Sequence, residues 1–558
     1  MSKTSTERIA LGINIGHDRS AAIIKNGEVL GVVAQERIDR IKHSSGALIA
    51  FECIDKLLQY VHLTFNEIDC IGFSGGELDN STYIDYLSQS LFSYYKCENK
   101  PLYMIDHHKS HAEAVFSASG FDHALILIAD GGGDYNGNLC EAESLFVGKD
   151  TVVTHVDGRY QTPMTRHMKD TCNHIYSRMP ELIRNKEVSI SRKYEQITYL
   201  LGFGWGEAGK TMGLASYGKS LFEYNYDQYD DFNYHIYAKD ILKDIHAIGL
   251  LSDKGYLHYI TEHKADIAQT VQKYTEEIFI HFIQKLIHRY NEHNICLGGG
   301  LFLNCLLNHK LLTKCDIDKL FVFPACGDDG QAIGNAFAAY KKHFGKTKFK
   351  IDLPYLGLSY TNVEIETVLK QKGLTYTYYS DEDLSLKTAQ YIADNKIVGF
   401  HHGRTEIGPR ALCHRSILAN PANPDMKDIL NSRVKHREYF RPFAPTVIAE
   451  RQYDIFDLKQ DSPYMLLATT VKEKYRKLLP SITHVDHTAR VQSVSSQQEP
   501  FLHAMLLQLE KLIGVPVVLN TSFNVAGQPI VETPNDAIQT FLQTEIDVLV
   551  IGNYIVTK

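Results

Sequence analysis

The sequence has no C-x-x-C pair, no long run of Lys and Arg, and no uninterrupted apolar stretch of the ~18 residues that a membrane helix needs. The first absence excludes the common zinc-ribbon and thioredoxin-type uses of cysteine. Ten cysteines are scattered at positions 53, 70, 97, 140, 172, 296, 305, 315, 326 and 413, the pattern expected of reduced, mostly buried thiols. The second absence, with a net charge of −8, argues against an extended nucleic-acid-binding face but leaves room for a local basic pocket. The third, with the polar start MSKTSTERIA, predicts a soluble, intracellular, cytoplasmic protein. A composition of 44% hydrophobic and 22% charged residues, with 38 Gly and 16 Pro, excludes disorder, collagen and coiled coil.

At 558 residues the chain has room for two or more domains. Its start reads as strands: Ile9–Ile15, a polar loop Gly16-His17-Asp18-Arg19-Ser20, then Ala21–Lys25 and Val29–Gln35 joined by the turn signal Asn26-Gly27. Helical patterns over Leu48–Tyr60 and Tyr83–Tyr95 alternate with strands at Cys70–Phe73 and Leu102–Ile105, and His107–Ser117 has helical character. A similar start recurs at Ala124–Ala129, followed by the glycine loop Asp130–Asp134 and a hairpin of Glu143–Val147 and Val152–Val156 turned at Gly148-Lys149. Helix Ile267–Tyr290, strands Ile295–Leu297 and Lys319–Phe323, and helix Gln331–His343 complete this second half. Two hairpin-plus-α/β halves in tandem predict an α/β chain whose residues 1–345 form the duplicated, ribonuclease-H-like fold of actin and sugar kinases. Residues 157–265, rich in Tyr and His, read as an insertion, and 346–355 as a linker. The mixed texture beyond it predicts an α+β domain over 356–558.

Four constellations could carry chemistry. In His107-His108-Lys109-Ser110-His111 a helix places His107 and His111 on one face, as two ligands of one ion require. Asp130 and the Asp328-Asp329-Gly330 turn could add carboxylates, a set that suits a divalent transition metal better than structural zinc. The plainer reading is a solvated, His-rich helix start. Gly204–Thr211 matches the phosphate-loop expression letter for letter. A working phosphate loop follows a buried strand and opens a helix. Tyr194–Leu201 has no strand-like run and Met212–Gly218 is too glycine-rich for a helix, so the match is rejected. Gly298-Gly299-Gly300 with Asn304 and Asn308 forms a corner that could let backbone approach a nucleotide, or could simply pack. The densest group is Arg404, Arg410, Arg415, Lys435, Arg437 and Arg441, set among Gly, Pro and aromatics. It reads as a polyanion site for phosphates; surface pairing with Glu406 and Glu438 is the alternative.

The motifs HHKSHA, the Asp130 glycine loop, GKTMGLASYGK, LGGGLFLN, ACGDDGQAIGNA and GRTEIGPRAL are followed by RSILANP, VKHREYFRPFAP, HTARVQ and NTSFNVAGQPIVETP. With them, over essentially its whole length, the chain resembles the O-carbamoyltransferases of the NodU/CmcH family. These enzymes carbamoylate antibiotics such as tobramycin and cephamycin, nodulation factors and related natural products. Two positions depart from the family pattern: Cys413 and His487 stand where glycine is usual.

The resemblance implies two sites. A C-terminal YrdC-like domain would make carbamoyladenylate from carbamoyl phosphate and Mg-bound ATP, with Arg410, Lys435, Arg441, Arg490, Asn520 and Ser522 holding the phosphates. An N-terminal domain, like the transferase subunit of threonylcarbamoyladenosine synthesis, would receive the adenylate at Lys210, Gly213, Gly299 and Asn304. There His107, His111, Asp130 and Asp328 would ligate a divalent metal, Fe(II), and His17 would act as base toward a hydroxyl of a small-molecule acceptor. Neither nucleic acid nor membrane is an implied partner, and the chain could pair as a homodimer. The chemistry is coherent, because joining carbamate to an α-phosphate gathers negative charge that Arg and Lys must offset. Transfer to an alcohol then needs a base near pH 7 and an electrophile on the carbamoyl oxygen. Competing readings are an actin-like small-molecule kinase, a threonylcarbamoyladenosine-type transferase and a non-catalytic nucleotide-binding scaffold.

Overall fold

Asn26 and Gly27 both take left-handed conformations (φ 52° and 85°), the geometry a tight hairpin turn needs. They join strands β2 (Ser20–Lys25) and β3 (Glu28–Ala34), which follow β1 (Ile9–Asn14). In this computed structural model, which describes residues 7–46, 48–75, 80–136, 139–161, 189–223, 240–351 and 354–558, β4 (Cys70–Ser74) and β5 (Leu102–Met104) extend the sheet in parallel. Its order is β3-β2-β1-β4-β5. The second sheet repeats the scheme. Strands β6 (His123–Ala129), β7 (Tyr135–Asn136), β8 (Leu139–Lys149) and β9 (Val152–Gln161) pair antiparallel, and β10 (Asn294–Gly298) and β11 (Lys319–Val322) run parallel to β6. An antiparallel meander followed by two parallel strands, used twice, is the duplicated actin-like topology. The second hairpin turns at Asp150-Thr151 and not at Gly148-Lys149. The strand ladder extends through Lys149 paired with Val152, and Asp150 takes the left-handed position (φ 57°).

Helix Gln331–Phe344 joins the two halves. It lies directly on β1 and β4 and against helix His107–Ser119. A Cβ at Gly12 would come 1.9 Å from the Ala332 carbonyl oxygen, and one at Gly72 would come 2.1 Å from that of Asn335. Only glycine permits this approach; alanine at either position would cost roughly 1–3 kcal/mol or more in overpacking. The start of this helix is thereby pinned beside the first turn of the other.

The residues read as an insertion are described in part; 162–188 and 224–239 lie outside the described residues. Helix Ile190–Leu200 precedes the phosphate-loop lookalike, so no strand leads into it. Residues Ala208–Ala215 are helical despite Gly209 and Gly213, contrary to the sequence expectation. Thr211, Leu214 and Ala215 are buried and the helix packs on Lys264–Tyr290, which outweighs the ~1 kcal/mol cost of each glycine.

The third sheet has nine strands. They are β12 (Thr377–Tyr378), β13 (Val398–His401), β14 (Arg415–Ala419), β15 (Ala444–Ile448), β16 (Leu467–Thr470), β17 (Thr488–Val494), β18 (Val517–Ser522), β19 (Val548–Ile551) and β20 (Tyr554–Thr557). Their order is β12-β20-β19-β13-β14-β18-β15-β17-β16. Helices Asp381–Ala393 and Pro500–Ile513 cover one face through Leu384, Ile392, Leu506 and Leu509. The helix expected over Met426–Val434 ends at Leu430 and widens into a turn over Asn431–Lys435, stopped by left-handed His436 (φ 45°). That turn buries Lys435. Among the described residues no helix is long and apolar enough to cross a membrane.

Candidate active site

The first turn of helix His107–Ser119 is buried: His107, His108 and His111 are 6%, 0% and 3% exposed. A solvated helix start is thereby excluded. His107 and His111 face Asp130, at the end of β6, and Asp328, in the turn before helix Gln331–Phe344. One potential ligand atom from each of the four lies within 4.8 Å of the others. His111 Nε2 is 3.2 Å from Asp328 Oδ1 and 3.4 Å from Asp130 Oδ2, and His107 Nε2 is 3.5 Å from Asp328 Oδ1. The Gln331 amide nitrogen sits 3.1 Å from Nε2 of both histidines and equally 3.1 Å from His107 Nδ1, between the two rings.

Two carboxylates about 4 Å apart repel by ~4 kcal/mol at an effective dielectric near 20. Burial opposes charge on Asp328, yet His17, His107 and His111 hold it well below the usual carboxylate range. Burial likewise opposes charge on His111, which Asp130 and Asp328 nevertheless raise to about 9. The pocket therefore favours a positive charge at its centre. Two imidazoles and two carboxylates, buried and convergent, fit a divalent transition ion in place of that proton. The glycine corner serves this site. The Gly300 N–H donates to Asp130 Oδ2 at 3.1 Å, and a Cβ at left-handed Gly299 (φ 94°) would meet the Ala129 carbonyl oxygen at 2.3 Å.

His17 lies in the loop after β1. The Asn14 amide donates to the carbonyls of His17 and Asp18 at 3.1 Å and of Asp328 at 3.0 Å, tying this loop to the acidic turn. His17 Nε2 is 2.9 Å from Asp328 Oδ2, and its Nδ1 is 3.1 Å from Asp18 Oδ2. The Asp328 carboxylate, more than any other group, holds the His17 imidazole well above its ordinary pKa. Both ring nitrogens face carboxylates, so this arrangement holds His17 as the imidazolium; a cation offsetting the Asp328 charge would lower its pKa and free a lone pair to accept a proton. Asp18 Oδ1 is 2.9 Å from His43 Nδ1, and Trp205 stands perpendicular to both rings.

Of the six cations grouped from the sequence, Arg410, Lys435, Arg437 and Arg441 gather with Arg490 and have little to neutralise them. Arg404 instead donates to the Gly357, Leu30 and Leu356 carbonyls, and Arg415 lies beside Glu532. Burial, then Arg490 beside it, lowers Arg410 to about 9; burial, then Arg441, does the same to Arg437. Burial, with Arg437 and Arg441, pushes Lys435 well below the ordinary lysine range. The Nε atoms of Arg410 and Arg490 are buried with no hydrogen-bond partner, while Arg410 Nη2 reaches across to the Leu303 carbonyl at 3.2 Å. Lys435 Nζ meets only neutral oxygens, among them Ser522 Oγ at 3.3 Å and Asn524 Oδ1 at 2.8 Å. Arg441 has a loose contact with Glu438 at 3.8 Å. Uncompensated buried cations cost several kcal/mol each, so the pocket is electrostatically suited to a polyanion.

Other residues singled out in the sequence hold the frame. Asn520, 1% exposed, donates at 3.2 Å to the Ala411 carbonyl, Thr446 Oγ1 and Gln492 Oε1, fastening the Arg410 loop to the sheet. Asn304 caps helix Cys305–Lys314 and donates to Gln272 Oε1 at 2.9 Å. Lys210 bridges Glu207 at 2.6 Å and Glu438 at 2.8 Å, and Gly213 faces Phe440 and Pro442. Both therefore stand on the seam between the second and third sheets. Sequence reasoning missed Gln331 and Trp205. Gln331 follows Asp328-Asp329-Gly330 but carries no local signal of its role, whereas a lone Trp within three glycines was available as one.

Residues 77–337 and 389–558 match two family models, described as carbamoyltransferase N-terminus and carbamoyltransferase C-terminus. The first span contains the whole His/Asp set and the second the whole cation pocket. The chain is 32% identical over 591 residues to the nodulation protein NolNO of Sinorhizobium fredii, covering 100% of this chain and 81% of that protein. It is 33% identical to an uncharacterised protein of Synechocystis over 97% of this chain and 95% of the other. Among solved structures it is similar to HypF of T. kodakarensis, with a TM-score of 0.42 and 18% identity, over 61% of this chain and 48% of the HypF chain. The matched part thus spans about half of HypF. With both family models matched in order and full-length relatives above 30% identity, this chain belongs to the carbamoyltransferase family and is an O-carbamoyltransferase.

Proposed function

We propose that this enzyme works in two steps on two sites. In the cation pocket, within a YrdC-like domain of residues 356–558, water cleaves carbamoyl phosphate to carbamate and inorganic phosphate, and the carbamate oxygen then displaces pyrophosphate from the α-phosphate of Mg-bound ATP to give carbamoyladenylate. Arg410, Lys435, Arg441 and Arg490 offset the charge that accumulates when carbamate approaches the α-phosphate, with Ser522 beside Lys435 and Asn520 holding the loop. The observation that carries this reading is the buried pair Arg410 and Arg490, with unpartnered Nε atoms and no carboxylate paired to either among the described residues. A small-molecule kinase or a scaffold gives that pair nothing to do.

Transfer is assigned to residues 1–345, joined by 346–355. His107, His111, Asp130 and Asp328 would hold a divalent ion, Fe(II) by the family resemblance. Such an ion supplies Lewis-acid polarisation of the carbamoyl oxygen. Lys210 and Gly213 meet the adenylate at the seam, near the Gly299 corner and Asn304. A hydroxyl of a small acceptor gives its proton to His17 as its oxygen bonds to the carbamoyl carbon, and AMP leaves with the electron pair of the broken bond. A divalent ion on Asp328 would offset the charge that otherwise keeps His17 protonated, leaving its Nε2 able to take that proton, while Asp18 at Nδ1 stabilises the imidazolium formed.

The test is a screen of hydroxylated acceptors with ATP and carbamoyl phosphate, read by mass spectrometry. The expected product carries one carbamoyl group and appears one for one with AMP. Product formed with ADP, or without nucleotide, contradicts the two-step reading.

A further inference from the structure

Arg410 projects from a loop whose two ends are held by different halves of the chain. On its C-terminal side Asn520 donates to the Ala411 carbonyl at 3.2 Å. Glu406 Oε1 accepts there from the backbone N–H of Leu412 at 2.6 Å and of Arg415 at 3.2 Å. These holds come from the third-sheet domain itself. The other side of the loop rests on the N-terminal domain. Gly408 is left-handed (φ 87°), and a Cβ there would come 2.3 Å from the carbonyl oxygen of Pro324, in the segment running from β11 to the acidic turn. Pro409 has no N–H with which to make a hold of its own. The Gly408 carbonyl instead accepts from Arg37 Nη2 at 3.0 Å.

Arg37 lies on the short helix Gln35–Asp39 after β3 and is 5% exposed. Its Nη1 is buried with no hydrogen-bond partner, and its Nε is 3.5 Å from Glu36 Oε1. A buried guanidinium so thinly partnered is costly to the fold, and its one close hydrogen bond goes to the clamp loop. Arg37 stands apart from the phosphate-facing cations. Arg490 and Arg441 are the cations that act most on Arg410, whereas Arg37 acts on Asp329, Glu532 and Arg415.

We propose that Arg37 is a positioning residue of the phosphate clamp: from the N-terminal domain it holds the Gly408 carbonyl, so that Arg410 is aimed into the cation pocket before an anion enters. The inference rests on the reading of that pocket as a phosphate site. A clamp fixed beforehand gives up less conformational freedom on binding, so the anion is held more tightly. Without Arg37 the Gly408 carbonyl loses its donor, and ordering that end of the loop opposes binding. Lys435, Arg441 and Arg490 stand on other segments and keep their places. The effect of Arg37 must therefore run through the Arg410 side chain and vanish when that side chain is absent.

The test is calorimetric titration with inorganic phosphate of four full-length proteins: wild type, Arg37→Met, Arg410→Ala and the double variant. Arg37→Met should weaken phosphate binding about tenfold, and Arg37→Lys, which keeps one charged donor, should recover part of the loss. In the Arg410→Ala background, adding Arg37→Met should change the affinity by less than about twofold. Thermal unfolding serves as the folding control; should Arg37→Met not fold, Arg37→Lys takes its place in the cycle, with a loss of about threefold expected only where Arg410 is present. Wild-type affinity in the folded Arg37 variant, or an equal loss with and without Arg410, would overturn the proposal while leaving the cation pocket a phosphate site. A wild type that binds no phosphate would overturn that reading of the pocket and this proposal with it.

Discussion

His17 Nε2 lies 2.9 Å from Asp328 Oδ2, so the loop after the first strand and the acidic turn of the second half share one hydrogen bond. Asp328 belongs to the His/Asp set, and His17 thereby couples the proposed base to the proposed metal site. His17→Asn keeps a polar side chain but cannot take up the acceptor proton. Acceptor carbamoylation should fall by roughly 10²–10⁴-fold while pyrophosphate release from ATP with carbamoyl phosphate persists. Product formation within threefold of wild type would place the base elsewhere.

His111→Ala and Asp130→Asn each remove one of four donors, and metal content by elemental analysis should drop in both. Gln331→Leu leaves the donors but removes the amide that sits between the two imidazoles. Its affinity for the ion should fall by roughly 10–100-fold, as for loss of an outer group that orients ligands. Unchanged stoichiometry in His111→Ala contradicts the ligand set, and unchanged affinity in Gln331→Leu contradicts an orienting role for Gln331.

Arg410 is buried beside Arg490 with an unpartnered Nε. Its removal should therefore abolish adenylate formation without lowering the thermal midpoint of the ligand-free protein, since an uncompensated cation is lost. Carbamoyl phosphate at 100 times its dissociation constant should stabilise the wild type by about 2.7 kcal/mol and Arg410→Ala by much less. Equal stabilisation of the two proteins would refute the phosphate clamp.

Lys435 supplies a pH dependence. Burial depresses its folded pKa below the unfolded value, so between the two values the unfolded chain binds more protons and this site's penalty on stability shrinks as pH rises. A bound anion restores the charged ammonium. Phosphate binding should therefore take up a proton and weaken as pH rises through that window. Calorimetry of inorganic phosphate binding in two buffers of different ionisation enthalpy measures the uptake, which Lys435→Met should lose. Zero uptake in the wild type would exclude Lys435 from the anion site.

The N-terminal half is legible where local chemistry decides: Asn26-Gly27 forces a hairpin, and the spacing of His107 and His111 puts two ligands on one helix face. Gln331 is not legible, because its place depends on Gly12 and Gly72 admitting a helix onto bare strand backbone. The helix Ala208–Ala215 defeats its glycines through burial, a tertiary effect absent from the local pattern. Strand Arg415–Ala419 is buried along its whole length and shows no alternation to read. The two departures from the family pattern become intelligible only in three dimensions. Cys413 and His487 sit at φ 73° and 66°, where glycine is unstrained and other residues lose ~1–2 kcal/mol. Cys413 offsets this through contacts of Sγ with Thr446 Oγ1 at 3.2 Å and Asn520 Nδ2 at 3.1 Å.

The central claim is that the cation pocket joins carbamoyl phosphate to ATP before any acceptor is involved. The most direct measurement is nucleotide turnover by the purified full-length protein, with both substrates present and no acceptor. Pyrophosphate and inorganic phosphate should appear only when both substrates are supplied, and bound carbamoyladenylate should be recovered by mass spectrometry after rapid denaturation. Formation of ADP, or pyrophosphate release that does not require carbamoyl phosphate, would contradict the account.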